Sequence, residues 1–414
     1  MAREEIITGL DLGSNLIRIV VGQKIEGDER IQILGVAENP SEGITKGVIS
    51  SIEDTVSSIS GALEKAERMT GLPVEHAYVG ISGSHIHSLQ SHGVVAVSKA
   101  DGEIKEDDVE RVIEAAQAVA TPPNYETLHV IPRSFSVDNQ TGVKDPVGMT
   151  GIRLEVDAQI IQGLSSQIKN ITKCIYRTGL DIDDLILGVL AGAEAVLTRR
   201  QKELGVALVN IGGSTTSLAV FEEGDVVHTA VLPVGSGHIT NDIAIGLRTS
   251  IEVAEQVKVE YGSCLVEEVN KRDEIDLSDI SSNESTVVPR KHIVEITEAR
   301  VEEIFDLVDK ELKKIDRSGL LPAGIVITGG GAKMPGVAEI AKRICKLPSS
   351  IGFPREIVTS IDKISDPAYT TAIGLLVWGA QALGRGSHRF AGPGFSTVNQ
   401  VRDRMKKWFK SLMP

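Results

Sequence analysis

The stretch Gly9-Leu10-Asp11-Leu12-Gly13-Ser14-Asn15 determines the expected fold, because a polar turn here joins two apolar strands. A second turn of the same form, Asn210-Ile211-Gly212-Gly213-Ser214-Thr215, follows about half a chain later and again lies between apolar strands. Aligning Asp11 with Asn210 brings the first glycines of the two turns together. A repeat with this period predicts two related halves that face each other.

The residue types in both turns suit a phosphate ligand. Glycine lets the backbone approach the ligand closely, and consecutive N–H groups form an anion-binding nest. Asp11 would repel phosphate, so we interpret it as a catalytic carboxylate and a ligand of Mg²⁺, directly or through water. Ordinary hairpin turns also favour Gly and Asn, but two turns at matching positions favour a nucleotide site. The predicted phosphate contacts are Gly13, Ser14, Asn15, Asn210, Gly212, Gly213, Ser214 and Thr215.

A third stretch, Gly324 to Gly336, contains a buried strand, the triple glycine Gly329-Gly330-Gly331 and a helix that we expect Pro335 to begin. Three glycines let the backbone lie flat against a ligand such as a nucleoside. In this order the three stretches resemble the nucleotide site of the actin, Hsp70 and sugar-kinase superfamily.

Composition limits the possible functions. A chain of 414 residues is longer than one hydrophobic core usually supports, so two or more domains are expected. The net charge of −14 argues against nucleic-acid binding, which needs a basic surface. The three widely spaced cysteines predict reduced thiols and no metal site. The first strand follows the N-terminus directly, and no apolar run reaches the length of a spanning helix, so we expect a cytoplasmic protein.

Residues 85–164 have the pattern of an inserted α/β subdomain for contacts with a partner or another subunit. Strands are predicted at 94–97, 127–137 and 152–162, with a helix at 106–119 and a loop at 138–150. His85, His87 and His92 are closely spaced, but this spacing is weak evidence for a metal site. We interpret them as surface or packing residues.

Glu194 is the one acid in a predicted helix of small and apolar residues, 191–197. It is either a helix-surface residue or a carboxylate that orients an attacking water. Further on, 263–291 is acidic and turn-rich, which predicts a loop or edge region rather than core. A long amphipathic helix is predicted at 293–316 and a small-residue helix at 366–376.

The C-terminal segment differs from the rest of the chain. A glycine-containing linker, 385–397, precedes 398–414, in which apolar and basic residues recur at helical spacing. This tail carries a charge of +4 and the remainder −18. It could dock on its own domain or on another protein, but a basic amphipathic helix with Trp and Phe favours an in-plane membrane anchor. The predicted membrane contacts are Val401, Met405, Trp408, Phe409 and Leu412, with Arg402, Lys406, Lys407 and Lys410.

Together with the motifs Ile81–His85 and Ala254–Lys258, these features resemble the FtsA family of bacterial cell-division proteins over essentially the whole chain. The resemblance implies a two-lobed, actin-like α/β fold with ATP between the lobes. It implies subdomain 1A (1–84, 165–198 and 365–384), inserted subdomain 1C (85–164), subdomain 2A (199–235 and 322–364), subdomain 2B (236–321), a flexible linker (385–397) and a membrane-targeting helix (398–414).

The same resemblance implies roles for individual residues. Glu255 and Lys258 would lie against the adenosine, and Glu194 near the γ-phosphate as a catalytic residue. Arg300, in subdomain 2B, would meet the acidic C-terminal peptide of FtsZ. The superfamily has Asp where this chain has Asn210, so ATP hydrolysis is expected to be slow at most. The remaining nucleoside contacts implied are Gly329, Gly330, Gly331, Lys333 and Met334.

The function implied is that of an ATP-binding protein that forms filaments on the cytoplasmic face of the cell membrane, at the division site. It would tether the FtsZ ring there as a peripheral membrane protein, and meet other division proteins through 85–164. The alternatives are an actin-like pilus-assembly protein, which we would not expect to carry such a tail, and a sugar-kinase-like phosphotransferase, for which the chain shows no convincing catalytic acid.

Overall fold

The computed structural model describes residues 6–24, 30–97, 102–270, 272–282, 284, 286–355 and 357–383. The predicted linker and tail therefore lie outside the described residues. The chain begins with β1 (Ile6–Leu12), β2 (Leu16–Lys24), β3 (Ile31–Pro40), β4 (Ile44–Thr45), β5 (Val48–Ile49), α1 (Ile52–Thr70) and β6 (His76–Ile81).

The inserted segment follows directly. Its elements are β7 (Ile86–Ala96), α2 (Glu106–Ala120), β8 (Tyr125–Val137), β9 (Gln140–Val143) and β10 (Arg153–Leu164). They form a four-stranded sheet in the order β7-β10-β8-β9, with a separate apolar core between the sheet and α2. The chain then returns to the first lobe through α3 (Ser165–Arg177), β11 (Asp181–Leu187) and α4 (Gly188–Val196).

The second lobe completes the chain. It contains α5 (Arg199–Leu204), β12 (Val206–Ile211), β13 (Thr216–Glu222), β14 (Asp225–Leu232), α6 (Ser236–Leu247), α7 (Ile251–Tyr261), β15 (Glu274–Asp276), β16 (Val287–Pro289), α8 (Arg290–Lys314), β17 (Ile325–Thr328), α9 (Val337–Cys345) and β18 (Ser349–Ile351). Two elements then lead back to the first lobe, β19 (Ile357–Val358), which pairs with β3, and α10 (Thr370–Leu383). Short 3₁₀ helices span Val266–Glu268, Leu277–Asp279, Gly330–Lys333, Asp362–Ser365 and Pro367–Tyr369.

The two large sheets share one topology. The first runs β11-β6-β1-β2-β3-β19 and the second β18-β17-β12-β13-β14. In each, a hairpin is followed by a parallel neighbour on the other side of its first strand, β6 beside β1 and β17 beside β12. Asp11 pairs with Arg18 across the first hairpin, and Asn210 pairs with Ser217 at the same position of the second. The predicted relation between the two halves is therefore confirmed.

Helices α4 and α10 join the lobes. They cross in backbone contact, because a methyl group on Gly374 would lie 2.0 Å from the carbonyl oxygen of Ala191. Helix α10 also packs on β1, where a methyl group on Gly9 would lie 2.3 Å from the carbonyl oxygen of Ala372. Helix α10, which follows the second lobe in the chain, thus completes the core of the first lobe, as the small residues of 366–376 predict.

Several predicted boundaries were wrong. The predicted loop 138–150 contains β9, which returns alongside β8 after a turn in which Asp138 has a positive φ of 52°. Short polar residues such as Asp tolerate this conformation. The acidic segment 263–291 is not only a surface loop, because Ile275, Leu277 and Val288 are buried in the second core. Pro335 does not begin a helix, since α9 begins at Val337.

Candidate nucleotide site

The two predicted phosphate turns face each other across the cleft. A methyl group on Gly213 would lie 2.4 Å from Oδ1 of Asn15, so the tip of the second turn touches a side chain of the first. The lobes also meet through a hydrogen bond of 2.8 Å between the hydroxyl groups of Ser82 and Ser217. Ser82 follows β6, whereas Ser217 lies on β13 directly after the second turn. The sequence repeat thus becomes one spatial site.

Helix α6 holds the second turn in place. The N–H groups of Ser236 and Gly237 donate to the carbonyl oxygens of Gly212 and Gly213, at 2.8 and 2.7 Å. These contacts orient the turn and leave the N–H groups of Gly213 and Ser214 without a protein acceptor among the described residues. The helix N-terminus adds a positive partial charge beside them. Free N–H groups of a glycine-containing turn, next to a helix N-terminus, suit a phosphate.

Asp11 lies at the end of β1 and is partly buried. Burial raises the pKa of its carboxyl group to about 6, and the positive charge of Arg18 opposes this effect. A desolvated carboxylate is a favourable place for a cation, so Asp11 fits the predicted Mg²⁺ role. Among the described residues there is no group of three or more His, Cys, Asp or Glu side chains placed to hold a metal ion. Mg²⁺ would therefore depend on one carboxylate, water and the phosphates, as is usual for this ion.

Asn210 lies at the matching position of the second lobe. Its Nδ2 donates to Oγ1 of Thr371, in the first turn of α10, at 3.0 Å. The amide thus links the second lobe to the helix that completes the first, and it supplies no charge for a metal. Thr371 was not identified from the sequence.

The triple glycine, predicted to contact the nucleoside, combines tight packing with open space. Gly329 has a φ of 87°, and a methyl group on Gly331 would lie 2.4 Å from Cγ2 of Ile211. Gly330, between them, is exposed, and a methyl group there would meet nothing within 4 Å. Two glycines are therefore required by close contacts within the protein, whereas the third leaves open space for a ligand.

Glu255 and Lys258 are held together beside this surface. Nζ of Lys258 lies 2.6 Å from Oε2 of Glu255 and 2.9 Å from Oγ1 of Thr240, which joins α7 to α6. The end of α7 lies near the triple glycine, because a methyl group on Gly262 would lie 3.2 Å from the sulfur of Met334. Helix α6 begins at the second phosphate turn and α7 ends at Met334, so the arrangement suits a phosphate at one end and a base at the other.

Comparison with known proteins shows the family to which this chain belongs. The chain is 40% identical over 408 residues to cell division protein FtsA of Pseudomonas aeruginosa, covering 98% of this chain and 97% of that protein. The chain belongs to the FtsA family. FtsA of Bacillus subtilis is 40% identical, covering 91% and 84% of the two chains, and FtsA of Escherichia coli K12 is 32% identical, covering 98% of each.

Family models agree with this assignment. The model described as cell division protein FtsA matches residues 207–374, and the model of the SHS2 domain inserted in FtsA matches 83–162. The second match confirms that an inserted domain is present. Where the proposed subdomains of this FtsA family member begin and end stays a prediction.

Solved structures show the actin-like fold. The PilM–PilN type IV pilus biogenesis complex matches with a TM-score of 0.66 at 16% identity, covering 90% of this chain and 98% of that chain. MreB5 of Spiroplasma citri bound to ADP matches with a TM-score of 0.56 at 15% identity, covering 92% and 99%. At these identities the likeness concerns the fold alone. No helix within the described ranges is long and apolar enough to cross a membrane.

Glu194 does not lie at the phosphate turns of this FtsA family member. Its Oε1 accepts from Nζ of Lys202 at 2.7 Å, and Nζ lies 5.2 Å from the centre of the Phe221 ring. Phe221 is five residues beyond Thr216 on β13, or about 16 Å along the strand. The pairing with Lys202 favours the helix-surface interpretation of Glu194. Its predicted catalytic role stays a prediction.

Lys333 and Arg300 are both engaged in ion pairs. Nζ of Lys333 lies 2.7 Å from Oδ2 of Asp366, just before α10, rather than being free to reach a phosphate. Nε and Nη2 of Arg300 donate to the two carboxylate oxygens of Asp242 at 2.6 and 3.0 Å, and Nη1 pairs with Glu303. The proposed role of Arg300 toward FtsZ stays a prediction.

The three clustered histidines separate in the structure. His85 is buried, and neither ring nitrogen has a hydrogen-bond partner among the residues that the structure describes. Burial lowers its pKa to about 4, so the ring is neutral at pH 7. His87 packs edge-on against Tyr125, and His92 is exposed with ring nitrogens 3.1 and 3.0 Å from the carboxylates of Glu155 and Asp157. The three side chains thus have separate environments.

Proposed function

We propose that this member of the FtsA family binds ATP with Mg²⁺ and polymerises on the cytoplasmic face of the cell membrane, where it tethers the FtsZ ring. One observation carries the nucleotide part. The two phosphate turns meet at Asn15 and Gly213, with the open surface of Gly330 in the same cleft. Family membership supports the role in division.

In the proposed site, the N–H groups of Gly213 and Ser214 hold the phosphates and Asp11 holds Mg²⁺, directly or through water. Mg²⁺ would neutralise phosphate charge there. Glu194, one of the two predicted catalytic carboxylates, is paired with Lys202, and Asn210 stands where the superfamily has Asp. We therefore propose that hydrolysis is slow at most and that ATP acts mainly as a structural switch for polymerisation.

Membrane attachment is assigned to residues 398–414. The tail carries +4 on a chain whose net charge is −14, so an anionic surface would attract this segment in particular. Each basic residue contributes about 1 kcal/mol near anionic lipid, and ordering the segment offsets part of that gain. One copy would bind weakly, whereas a filament presents many copies and gains affinity through avidity. The tail and polymerisation thus depend on each other.

The partner contacts are assigned to two regions. We propose that the FtsZ C-terminal peptide binds subdomain 2B, 236–321, near Arg300, whose guanidinium group lies on α8 beside α6. An acidic peptide there would share Arg300 with Asp242 and Glu303. We propose that the inserted segment, 85–164, contacts other division proteins and neighbouring copies.

Co-sedimentation with liposomes tests the central proposal. The full chain and a chain ending at Gly394 would be mixed with phosphatidylglycerol-containing vesicles, with and without Mg·ATP. We expect only the full chain to pellet, and more of it with ATP. A full-length variant with Trp408→Ser and Phe409→Ser is the matched control, because it keeps every charge and removes apolar contact. If the full and shortened chains pellet equally, or neither pellets, the tail is not the anchor.

The alternatives receive less support. The PilM-containing complex shares the fold at only 16% identity, whereas the relatives that match over nearly the whole chain at 32–40% are cell division proteins. A phosphotransferase would need an acid aimed at a substrate hydroxyl. The sequence shows no convincing candidate for that acid, and Glu194, the carboxylate predicted to orient a water, is paired with Lys202.

A further inference from the structure

A second cleft, of about 250 Å³, separates the inserted domain from the second lobe. It lies at the opposite end of β13 from the phosphate turns, because Glu222, the last residue of that strand, forms part of its wall. Strand β13 therefore contributes to both clefts, with one cleft at each of its ends. The lining residues are Gln90, Arg133, Glu222, Val227, Lys314, Ile315, Asp316 and Arg317.

Arg133 enters this cleft from a β-bulge. Across the β8–β10 ladder, Asp157 pairs with Ser134 and the next residue, Ala158, pairs with Pro132, so Arg133 is an extra residue without a cross-strand partner. A bulge redirects a side chain at the cost of one ladder position, and bulges are over-represented next to functional sites. Strand β8 is thus irregular at Arg133, the residue whose guanidinium group enters the cleft.

Arg133 is also the unpaired cation of the cleft. The guanidinium of Arg317 is held by both carboxylate oxygens of Glu222, at 2.8 to 3.1 Å, and Lys314 pairs with Glu311 at 2.6 Å. Arg133 is partly buried and has no hydrogen-bond or ion-pair partner within the described residues. Burial raises the pKa of Asp225, whose direct partner is Lys144, and the charges of Lys144 and Arg133 oppose that effect.

Two features of the wall oppose an anion. Asp316 contributes a carboxylate, and α8 ends here with its negative dipole end. The carbonyl oxygens of that last turn are occupied, because Leu312 accepts from the N–H of Arg317 at 2.9 Å and Lys313 from that of Asp316 at 3.2 Å. The lining therefore has three cations and two carboxylates, in a chain whose overall charge is −14.

We propose that this cleft binds a small oxyanion, a phosphate or carboxylate group, through Arg133 and Lys314. A volume of about 250 Å³ lies below the range of about 300–1,000 Å³ that suits drug-sized ligands, so the cleft fits a small anion or one acidic side chain. Arg133 belongs to the inserted domain and Lys314 to the second lobe. A bound anion would bridge them, as the ion pair between Lys144 and Asp225 already does.

The test measures anion binding by the full chain with saturating Mg·ADP, which occupies the phosphate turns. Isothermal titration would use inorganic phosphate in one arm and the acetylated, amidated peptide Glu-Glu-Glu-Glu in the other. We expect binding in at least one arm, weakened at least tenfold by Arg133→Gln. The matched control is Arg153→Gln, which removes an exposed arginine from the adjacent strand of the same sheet. Because Arg133→Gln could disturb folding, Lys314→Gln, at the exposed end of α8, provides a second variant.

The two arms distinguish the sources of the anion. Phosphate binding that is lost in the variants assigns the cleft to a free anion. Binding of the peptide alone assigns it to an acidic segment of a protein. Binding in neither arm would overturn the proposal, as would equal binding by the parent chain, Arg133→Gln and Lys314→Gln. The comparison of the variants remains valid whether or not the chain binds ADP. This proposal can therefore fail while the nucleotide proposal stands, and the reverse.

Discussion

The environment of Asp11 makes nucleotide binding depend on pH. Its pKa is raised to about 6 by burial, so the carboxyl group is about 97% ionised at pH 7.5 and about 9% at pH 5. Only the ionised form can act as a ligand of Mg²⁺. We therefore expect the part of nucleotide affinity that depends on Mg²⁺ to fall about tenfold between these values, and Asp11→Asn to remove this dependence.

The assay is titration of a fluorescent ATP analogue against the full chain, with Mg²⁺ or with a chelator, from pH 5 to 7.5. Phosphate groups also titrate near pH 6, so the informative quantity is the ratio of the affinities of the parent chain and Asp11→Asn. Asp145→Asn, which changes an exposed loop carboxylate, is the matched control. A ratio that stays constant across this range would refute the assignment of Asp11 to Mg²⁺.

The same pKa predicts the stability of the free protein. The folded-state value lies above the ordinary value of 3.8, so the folded chain binds this proton more tightly than the unfolded chain. The stabilisation is complete below about pH 4 and is lost as pH rises through about 6, by about 3 kcal/mol. Urea unfolding at pH 4.5 and 6.5 should show about 2 kcal/mol of this loss in the parent chain and none of it in Asp11→Asn. An equal change in the free energy of unfolding between these two pH values, in the parent chain and in Asp11→Asn, would contradict the raised pKa.

Three further substitutions test the surfaces around the ligand. Gly330→Val should weaken ATP binding at least tenfold and leave urea unfolding nearly unchanged, whereas Gly331→Ala, which collides with Ile211, should lower the free energy of unfolding by about 1–3 kcal/mol. The reverse pattern would show that the open surface is not the ligand surface. Asn210→Asp should raise Mg²⁺ affinity roughly tenfold by adding a carboxylate, since the hydroxyl of Thr371 can donate to it. Unchanged Mg²⁺ affinity would place the metal away from the second turn.

Much of the fold could be predicted from sequence, because hydrophobic periodicity and turn chemistry are local signals. The repeat of the two turns predicted the common sheet order, which the register at Asp11 and Asn210 confirms. Helix boundaries were less accurate where local signals conflict. Helix α6 begins at Ser236, where its first N–H groups bond to the second turn. This start depends on a tertiary contact that the local sequence does not show.

Side-chain roles could be predicted less far, because they depend on direction. A lone acid in an apolar helix suggested a catalytic carboxylate, but the helical pattern does not say toward which end of β13 Glu194 lies, and the catalytic role stays a prediction. Lys202, which holds it, belongs to the unpredicted helix α5. Thr371 and Ser82 were missed because each is one of many hydroxyl residues in the chain. Ser217 alone had a sequence signal, since it occupies the position of Arg18 in the repeat.

The contacts between the lobes explain why nucleotide occupancy could act as a switch without rapid hydrolysis. At the level of the phosphate turns the contacts between the lobes include neutral hydrogen bonds, such as Ser82 to Ser217, Asn210 to Thr371 and Thr328 to Thr370. Each such bond contributes about 0.5–1.5 kcal/mol net, so each one alone is a weak constraint on how far the cleft closes. A phosphate held by N–H groups of both turns would form charge-assisted bonds, which are roughly twice as strong. The ligand would therefore dominate closure, and α10 would carry that change into the first lobe, because its first turn binds Asn210 while the helix packs on β1.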